Sequence, residues 1–228
     1  MNQLLKLLLD IIFPPVCLNC KKRLTQNNLP IICQECFQQI EINNGFYCPK
    51  CKRRIPEEKN SCHSEEKFVL AAAASYENNV VRELIHSLKY KSIKTTAEPL
   101  AEILKLYLQK ISTHKKLPSI IIPIPLYGTR ERKRGFNQSL IIAQNIKDFL
   151  EATIENDVIF RIKNTHSQIK SRNFKERENN VRNCFRIENA QKIKGRDVIL
   201  LDDVYTSGAT MKEAVRALKD AGVKKIIA

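Results

Sequence analysis

The stretch Val198–Met211, VILLDDVYTSGATM, sets two adjacent carboxylates after an apolar run and follows them with Thr206, Ser207, Gly208, Ala209 and Thr210. A run of this kind reads as a buried strand, so Asp202 and Asp203 stand at its carboxyl end. The small and hydroxylated residues form the loop entering the next helix. Backbone N–H groups at such an entrance, with the hydroxyls of Thr206, Ser207 and Thr210, make a cradle for a monoester phosphate. Gly208 lets the backbone approach the anion with no Cβ in the way. The carboxylates can accept hydrogen bonds from vicinal sugar hydroxyls, or hold Mg²⁺ through oxygens and water. Together these groups suit a ribose 5-phosphate. The chain has no Gly-x-x-x-x-Gly-Lys-Ser/Thr loop and no Gly-x-Gly-x-x-Gly stretch, which argues against a Walker-type or dinucleotide site.

A second chemistry lies near the N-terminus. Seven of the eight cysteines fall within residues 17–62, as Cys17-x-x-Cys20, Cys33-x-x-Cys36, Cys48-x-x-Cys51 and Cys62. A Cys-x-x-Cys pair turns two thiolates toward one point, and two pairs complete a tetrahedral zinc site. The simplest assignment is Cys17, Cys20, Cys33 and Cys36 for one site. Cys48, Cys51 and Cys62 then form a second, with His63 or, less well placed, Glu65 as fourth ligand; an interleaved pairing also fits the spacing. Both sites are closed and therefore structural. A disulfide framework is the competing reading, but the segment has no secretory signal and the Cys-x-x-Cys loops are short for structural bridges. So few large apolar side chains over about 50 residues need such staples to fold.

Elements must hold these groups in place. From residue 67 the chain alternates strand and helix patterns. KFVLAAAASY reads as a strand. VVRELIHSLKY sets Val81, Leu84, Ile85 and Leu88 on one helical face, and TTAEPLAEILKLYLQKI is a second helix with Pro99 in its first turn. PSIIIPIPL is a buried strand and is followed by a basic loop carrying Arg130, Arg132, Lys133 and Arg134. FNQSLIIAQNIKDFL is helical. KGRDVILLDDV is a strand, GATMKEAVRALKDAGV is a helix closed by Gly222, and KKIIA begins a last strand. Alternation of this kind predicts a parallel α/β sheet with ligands at the carboxyl ends of its strands. The division is an N-terminal helix and cysteine module over residues 1–66 and an α/β domain over 67–228.

Composition agrees with that plan. At 228 residues there is room for one full domain and a small module. The longest apolar runs, Ser119–Leu126 and Val198–Leu201, are far too short to span a membrane. MNQLLKLLLDIIFPP carries Lys6 and Asp10 inside its apolar stretch and lacks a small-residue cleavage site. It reads as an amphipathic helix ended by Pro14-Pro15 and packed on the protein, with a membrane-surface helix as the alternative. Residues 1–66 hold nine basic and seven acidic side chains, which leaves thirteen of the fifteen net positive charges on the remainder. Such a surface favours polyanions.

VILLDDVYTSGATM resembles the phosphoribosyl pyrophosphate (PRPP) motif of type I phosphoribosyltransferases. Joined to an N-terminal Cys-x-x-Cys module, it resembles the ComF family, competence-associated homologues of those enzymes. IIPIPLYGTRERKRGFNQS fits that family through Pro123, Pro125, Leu126, Arg134, Gly135, Phe136, Asn137 and Gln138. THSQIKSRNFKERENNVRNCF fits through Gln168, Arg177, Asn180 and Phe185, and LIHSLKY fits as well. Two departures stand out: the last Cys-x-x-Cys is reduced to Cys62, and the Gln-to-Phe segment is one residue longer.

The resemblance implies a type I phosphoribosyltransferase-like sheet with helices on both faces, preceded by a double zinc ribbon. It implies PRPP with Mg²⁺ at Asp202, Asp203 and Thr206–Thr210, with Arg134 and Arg177 as further catalytic residues. The polar stretch carrying Arg172, Lys175, Arg177 and Arg182 is implied to be a lid. A PRPP-dependent transferase of the glycosyltransferase class, located in the cytoplasm and linked to DNA uptake in natural transformation, is the resulting expectation. Single-stranded DNA and competence-machinery proteins are its expected partners. Two alternatives stay open. One is a salvage transferase acting on a nucleobase or amine. The other is a non-catalytic single-stranded DNA binder, with Phe136, Phe174 and Phe185 as stacking candidates.

Overall fold

The computed structural model describes residues 13–25, 29–56, 62–63, 65–112, 117–164 and 181–228. The helix read over residues 1–12 lies outside the described residues, as do Gln168, Arg172, Phe174, Lys175, Arg177 and Asn180.

Its strands are β1 (Ile120–Pro123), β2 (Thr153–Ile154), β3 (Ile159–Arg161), β4 (Phe185–Ile187), β5 (Asp197–Leu201) and β6 (Lys225–Ile227). Four of them form a parallel sheet in the order β2-β1-β5-β6, while β3 and β4 pair antiparallel beside it. Ile121, Ile122 and Pro123 stand opposite Ile199, Leu200 and Leu201, so the two central strands end together. The helices are α1 (Gln34–Gln38), α2 (Asn79–Tyr90), α3 (Ala97–Ser112), α4 (Gly128–Arg134), α5 (Gln138–Ile146) and α6 (Ala209–Asp220).

Side-chain alternation divides the core into two layers. Ile121, Ile199 and Leu201 face one side, where they join Val81, Leu84 and Leu88 of α2, Leu100 and Ile103 of α3, and Ile142 and Ile146 of α5. Ile120, Ile122, Val198 and Leu200 face the other, against Met211, Val215 and Leu218 of α6 and Ile159 and Phe185 of the hairpin. Each fully buried aliphatic side chain contributes about 1.5–3 kcal/mol, so the sheet core dominates the stabilisation of this domain. Asn78 starts α2 by accepting hydrogen bonds from the N–H groups of Val80 and Val81. Gly222, at φ +90°, follows the end of α6.

Two sequence expectations are revised. The basic stretch after Pro125 is a helix, α4, and not a loop. No residue between Gly128 and Gly135 interrupts helical backbone, and Arg132, Lys133 and Arg134 in its last turn favour the negative end of the helix dipole. The segment read as a strand at 67–76 is extended but forms only isolated bridges. Its alternate N–H groups serve two partners: Val69 and Ala71 donate to Ile226 and Ala228, whereas Leu70 donates to Tyr47. One extended strip thus joins the sheet edge to the cysteine-rich module.

Candidate functional site

The acid pair leaves the sheet where β1 and β5 end. Ile124 N–H donates to the Leu201 carbonyl at 2.9 Å, so the segments after both strands run side by side. Asp202 Oδ1 accepts from Ser139 Oγ at 3.2 Å and from the Asp203 N–H at 2.9 Å. Ser139 is set in place by Asn137. Its side-chain oxygen caps α5 through the Ser139 N–H, and its amide donates to the Ile124 carbonyl at 3.0 Å. Asp203 Oδ2 is paired with Lys89 Nζ at 2.9 Å, with the two side chains 8% and 20% exposed. Burial and the adjacent Asp203 charge push Asp202 up to about 7, against the pull of Lys89 and of its hydrogen bonds. Two carboxylates so close repel one another, and a divalent cation or hydroxyl donors relieve that repulsion.

The loop that follows carries Thr206, Ser207, Gly208, Ala209 and Thr210 into α6. Gly208 is the N-cap of α6 at φ +76°, ψ 0°, and it supplies no side-chain cap. Ala209 N–H makes only a 3.5 Å contact with Ser207 Oγ. Thr206 is exposed, and Ser207 and Thr210 are half-buried around this helix entrance. An uncapped N-terminus is suited to an anion, and Thr206, Ser207 and Thr210 flank this one in the chain. Tyr205 packs against this entrance, and its hydroxyl donates to the Pro49 carbonyl at 3.0 Å. A Cβ at position 208 would collide with the Tyr205 ring and hydroxyl, which adds a second requirement for glycine beyond its positive φ.

Arg134 of α4 lies beside the end of α2. Burial, and to a lesser degree the charges of Arg161 and Arg134, lower the Arg130 guanidinium from its ordinary value. The Arg134 guanidinium lies 5.8 Å from the centre of the Tyr90 ring, and Ser92 Oγ donates to the Arg134 carbonyl at 3.3 Å. Tyr90 is 62% exposed and contacts His86 at a ring separation of 4.8 Å. Phe136 and Phe185, read as possible stacking platforms, are each only 7% exposed and belong to the two core layers.

The cysteines gather as the spacing predicts. The ligand atoms of Cys17, Cys20, Cys33 and Cys36 lie within 4.8 Å of one another, as do those of Cys48, Cys51, Cys62 and His63. No described cysteine forms a disulfide. A tetrahedral site with Zn–S bonds of about 2.3 Å sets sulfurs about 3.8 Å apart. Here Cys20 and Cys33 Sγ are 3.6 Å apart and Cys51 and Cys62 Sγ 3.3 Å, while His63 Nδ1 stands 3.1 Å from Cys62 Sγ and 3.3 Å from Cys48 Sγ. Cys48 and Cys51 push the neighbouring Cys62 thiol up to about 12, a crowding of sulfur that a bound cation resolves. Both donor sets therefore fit zinc. Glu65, the other candidate ligand, instead pairs with Lys50.

Lys89, Ser139, Tyr205 and Tyr90 were not singled out as site residues by sequence reasoning. One signal was available for Lys89: it follows the buried Leu88 and lies one turn beyond Ile85, at the margin of the apolar face.

Comparison with known proteins gives the same two-part picture. The phosphoribosyl transferase domain model matches residues 92–228, and the double zinc ribbon domain model matches residues 8–64. Competence protein F of Haemophilus influenzae is 29% identical over 219 residues, covering 92% of this chain and 93% of its own. DNA utilization protein YhgH of Escherichia coli O157:H7 is 32% identical over 221 residues, covering 87% and 95%. Competence protein ComFC of Bacillus subtilis is 26% identical over 207 residues, covering 84% and 79%. With a phosphoribosyl transferase domain along more than half its length and relatives of this kind along most of it, the chain belongs to the ComF family.

Proposed function

We propose that this chain binds PRPP with Mg²⁺ at the Val198–Met211 motif and acts as a phosphoribosyltransferase in the handling of incoming DNA. The observation that carries the reading is the acid pair beside an uncapped helix entrance. Asp202 and Asp203 are held by Ser139 and Lys89, next to the hydroxyls of Thr206, Ser207 and Thr210. In this reading the carboxylates accept the ribose hydroxyls and supply hard oxygens for Mg²⁺. The loop Thr206–Thr210 takes the 5-phosphate. Departure of pyrophosphate from C1′ builds negative charge, which positioned cations and Mg²⁺ stabilise; Arg134 of α4 and Arg177 are the candidates. Cys17, Cys20, Cys33 and Cys36 hold one structural zinc, and Cys48, Cys51, Cys62 and His63 a second.

The names of the relatives, competence protein and DNA utilization protein, support the link to DNA uptake. The reading divides the chain near residue 66 and places it in the cytoplasm, where zinc-binding thiols stay reduced. No helix among the described residues is long and apolar enough to cross a membrane. Calorimetric titration with PRPP and Mg²⁺ tests the binding, and pyrophosphate release with nucleobases or amines as acceptors separates the salvage alternative. Absence of binding at millimolar PRPP overturns the reading.

A second reading, binding of single-stranded DNA, is favoured by a specific observation. Tyr90 is largely exposed with the Arg134 guanidinium over its ring, and Lys91 and Lys94 follow along the chain. Cations around an exposed aromatic are the elements of sequence-tolerant single-strand binding.

A further inference from the structure

We infer that Tyr205 is a strut through which the second cysteine cluster positions the ligand loop, so that metal occupancy there and ligand binding at the loop are linked. Tyr205 sits in the middle of the loop, between the acids and the hydroxyls. Its side chain spans to a residue 156 positions away, Pro49, inside the Cys48-x-x-Cys51 turn. That turn is tightly closed: Lys52 N–H donates to the Cys48 carbonyl at 2.8 Å, and Cys48 N–H to the Arg53 carbonyl at 2.9 Å. Pro49 has a fixed φ, so the direction of its carbonyl follows the closure of the turn. The same hydroxyl end of the ring is seated against Gly208, the N-cap of α6, so it lies between the Pro49 carbonyl and the helix entrance. One side chain therefore reaches from the metal-binding turn to the helix entrance.

The turn is also referenced to the sheet. Tyr47, immediately before Cys48, exchanges two backbone hydrogen bonds with Leu70 at 2.8 and 2.9 Å, and the adjacent Val69 bonds to β6. The cluster and the loop thus belong to one frame, closed on one side by this backbone strip and on the other by Tyr205. In the second cluster Cys48 is buried, Cys51 half-buried and Cys62 exposed, whereas three of the four thiols of the first, Cys17, Cys33 and Cys36, are buried and only Cys20 is exposed. The second site is the one a chelator reaches first. Loss of its metal releases the Cys48–Cys51 turn, the Pro49 carbonyl loses its fixed position, and the loop loses its strut. By linkage, a ligand that orders the loop must in turn retain the metal.

The loop's role as a ligand site rests on the proposed function; the strut itself does not. Amide hydrogen exchange of the full-length, zinc-loaded protein reads the strut directly. Removal of the accessible zinc with a chelator is expected to speed exchange across residues 202–209 by about tenfold. Tyr205→Phe, which lacks only the hydroxyl, is expected to produce the same increase with both zinc ions in place, and chelation then adds nothing further. Unchanged loop exchange in Tyr205→Phe overturns the proposal, including the case in which chelation also unfolds the β1 and β5 core. The ligand arm measures zinc release to a chromophoric chelator. PRPP with Mg²⁺ slows it several-fold in the wild type and not in Tyr205→Phe; equal slowing in both overturns the linkage. If PRPP does not bind while the exchange coupling holds, the ligand reading falls and the strut stands.

Discussion

Lys89 Nζ and Asp203 Oδ2 stand 2.9 Å apart, an ion pair that ties the last turn of α2 to the end of β5. It is the main positive charge offsetting two adjacent carboxylates, and both partners are largely out of solvent. Removing one partner of a buried pair leaves the other uncompensated, at a cost of about 3–5 kcal/mol. Lys89→Ala is expected to lower the unfolding free energy at pH 7.5 by about 3 kcal/mol in urea titration. A change below 0.5 kcal/mol would show the pair to be incidental.

Asp202 makes stability fall with rising pH. Its carboxyl is pushed from an ordinary 3.8 to about 7 by burial and by Asp203, so the folded protein holds a proton that the unfolded chain has released. Between about pH 4 and pH 7 this group therefore lowers stability as pH increases, and above pH 7 the full penalty is present. Asp202→Asn keeps an oxygen to accept from Ser139 while deleting the charge. At pH 8 the variant is expected to be more stable than the wild type by up to about 4 kcal/mol, and at pH 4 nearly equal to it. Parallel stability curves for the two proteins across this range would contradict the shift.

Metal content separates two zinc sites from one. Elemental analysis of protein purified without chelator is expected to give two zinc equivalents per chain, and about one in Cys48→Ser. Cys33→Ser is expected to be the more damaging change, because Cys17, Cys33 and Cys36 share a core layer with Val80, Val81 and Leu84 of α2. One equivalent in the wild type would limit zinc to a single cluster.

Tyr90 carries the test of the DNA reading. Stacking of a base on an aromatic ring contributes about 1–3 kcal/mol, so Tyr90→Ala is expected to weaken binding of a single-stranded oligonucleotide by about tenfold. Affinity of the wild type is expected to drop steeply between 50 and 200 mM salt. Binding insensitive to both changes counts against this surface.

Local pattern carried the sheet and most helices. Continuous apolar runs mark β1 and β5, the Cys-x-x-Cys spacing marks both clusters, and the acids, hydroxyls and Gly208 of the loop are contiguous. What spacing could not show is contact between distant residues. Lys89 meets Asp203 only because α2 crosses the carboxyl end of the sheet, and Tyr205 meets Pro49 only because the strip at 69–74 docks the cysteine module on the sheet edge. The basic stretch at 128–134 misled in the opposite sense, since its charges read as loop while its backbone propensity is helical. Phe136 and Phe185 show the same limit: an aromatic in a polar stretch reads as a platform, but burial assigns both to the core.

Thermal unfolding with and without PRPP and Mg²⁺ tests the central claim most directly. A ligand at a hundred times its Kd stabilises by about 2.7 kcal/mol, which for a chain of this size raises Tm by roughly 5–10 °C. The wild type is expected to show that rise, and the double variant Asp202→Ala, Asp203→Ala, folded and zinc-loaded, is expected to show none. No rise in the wild type at millimolar PRPP, or an equal rise in both proteins, would contradict a PRPP site at Asp202 and Asp203.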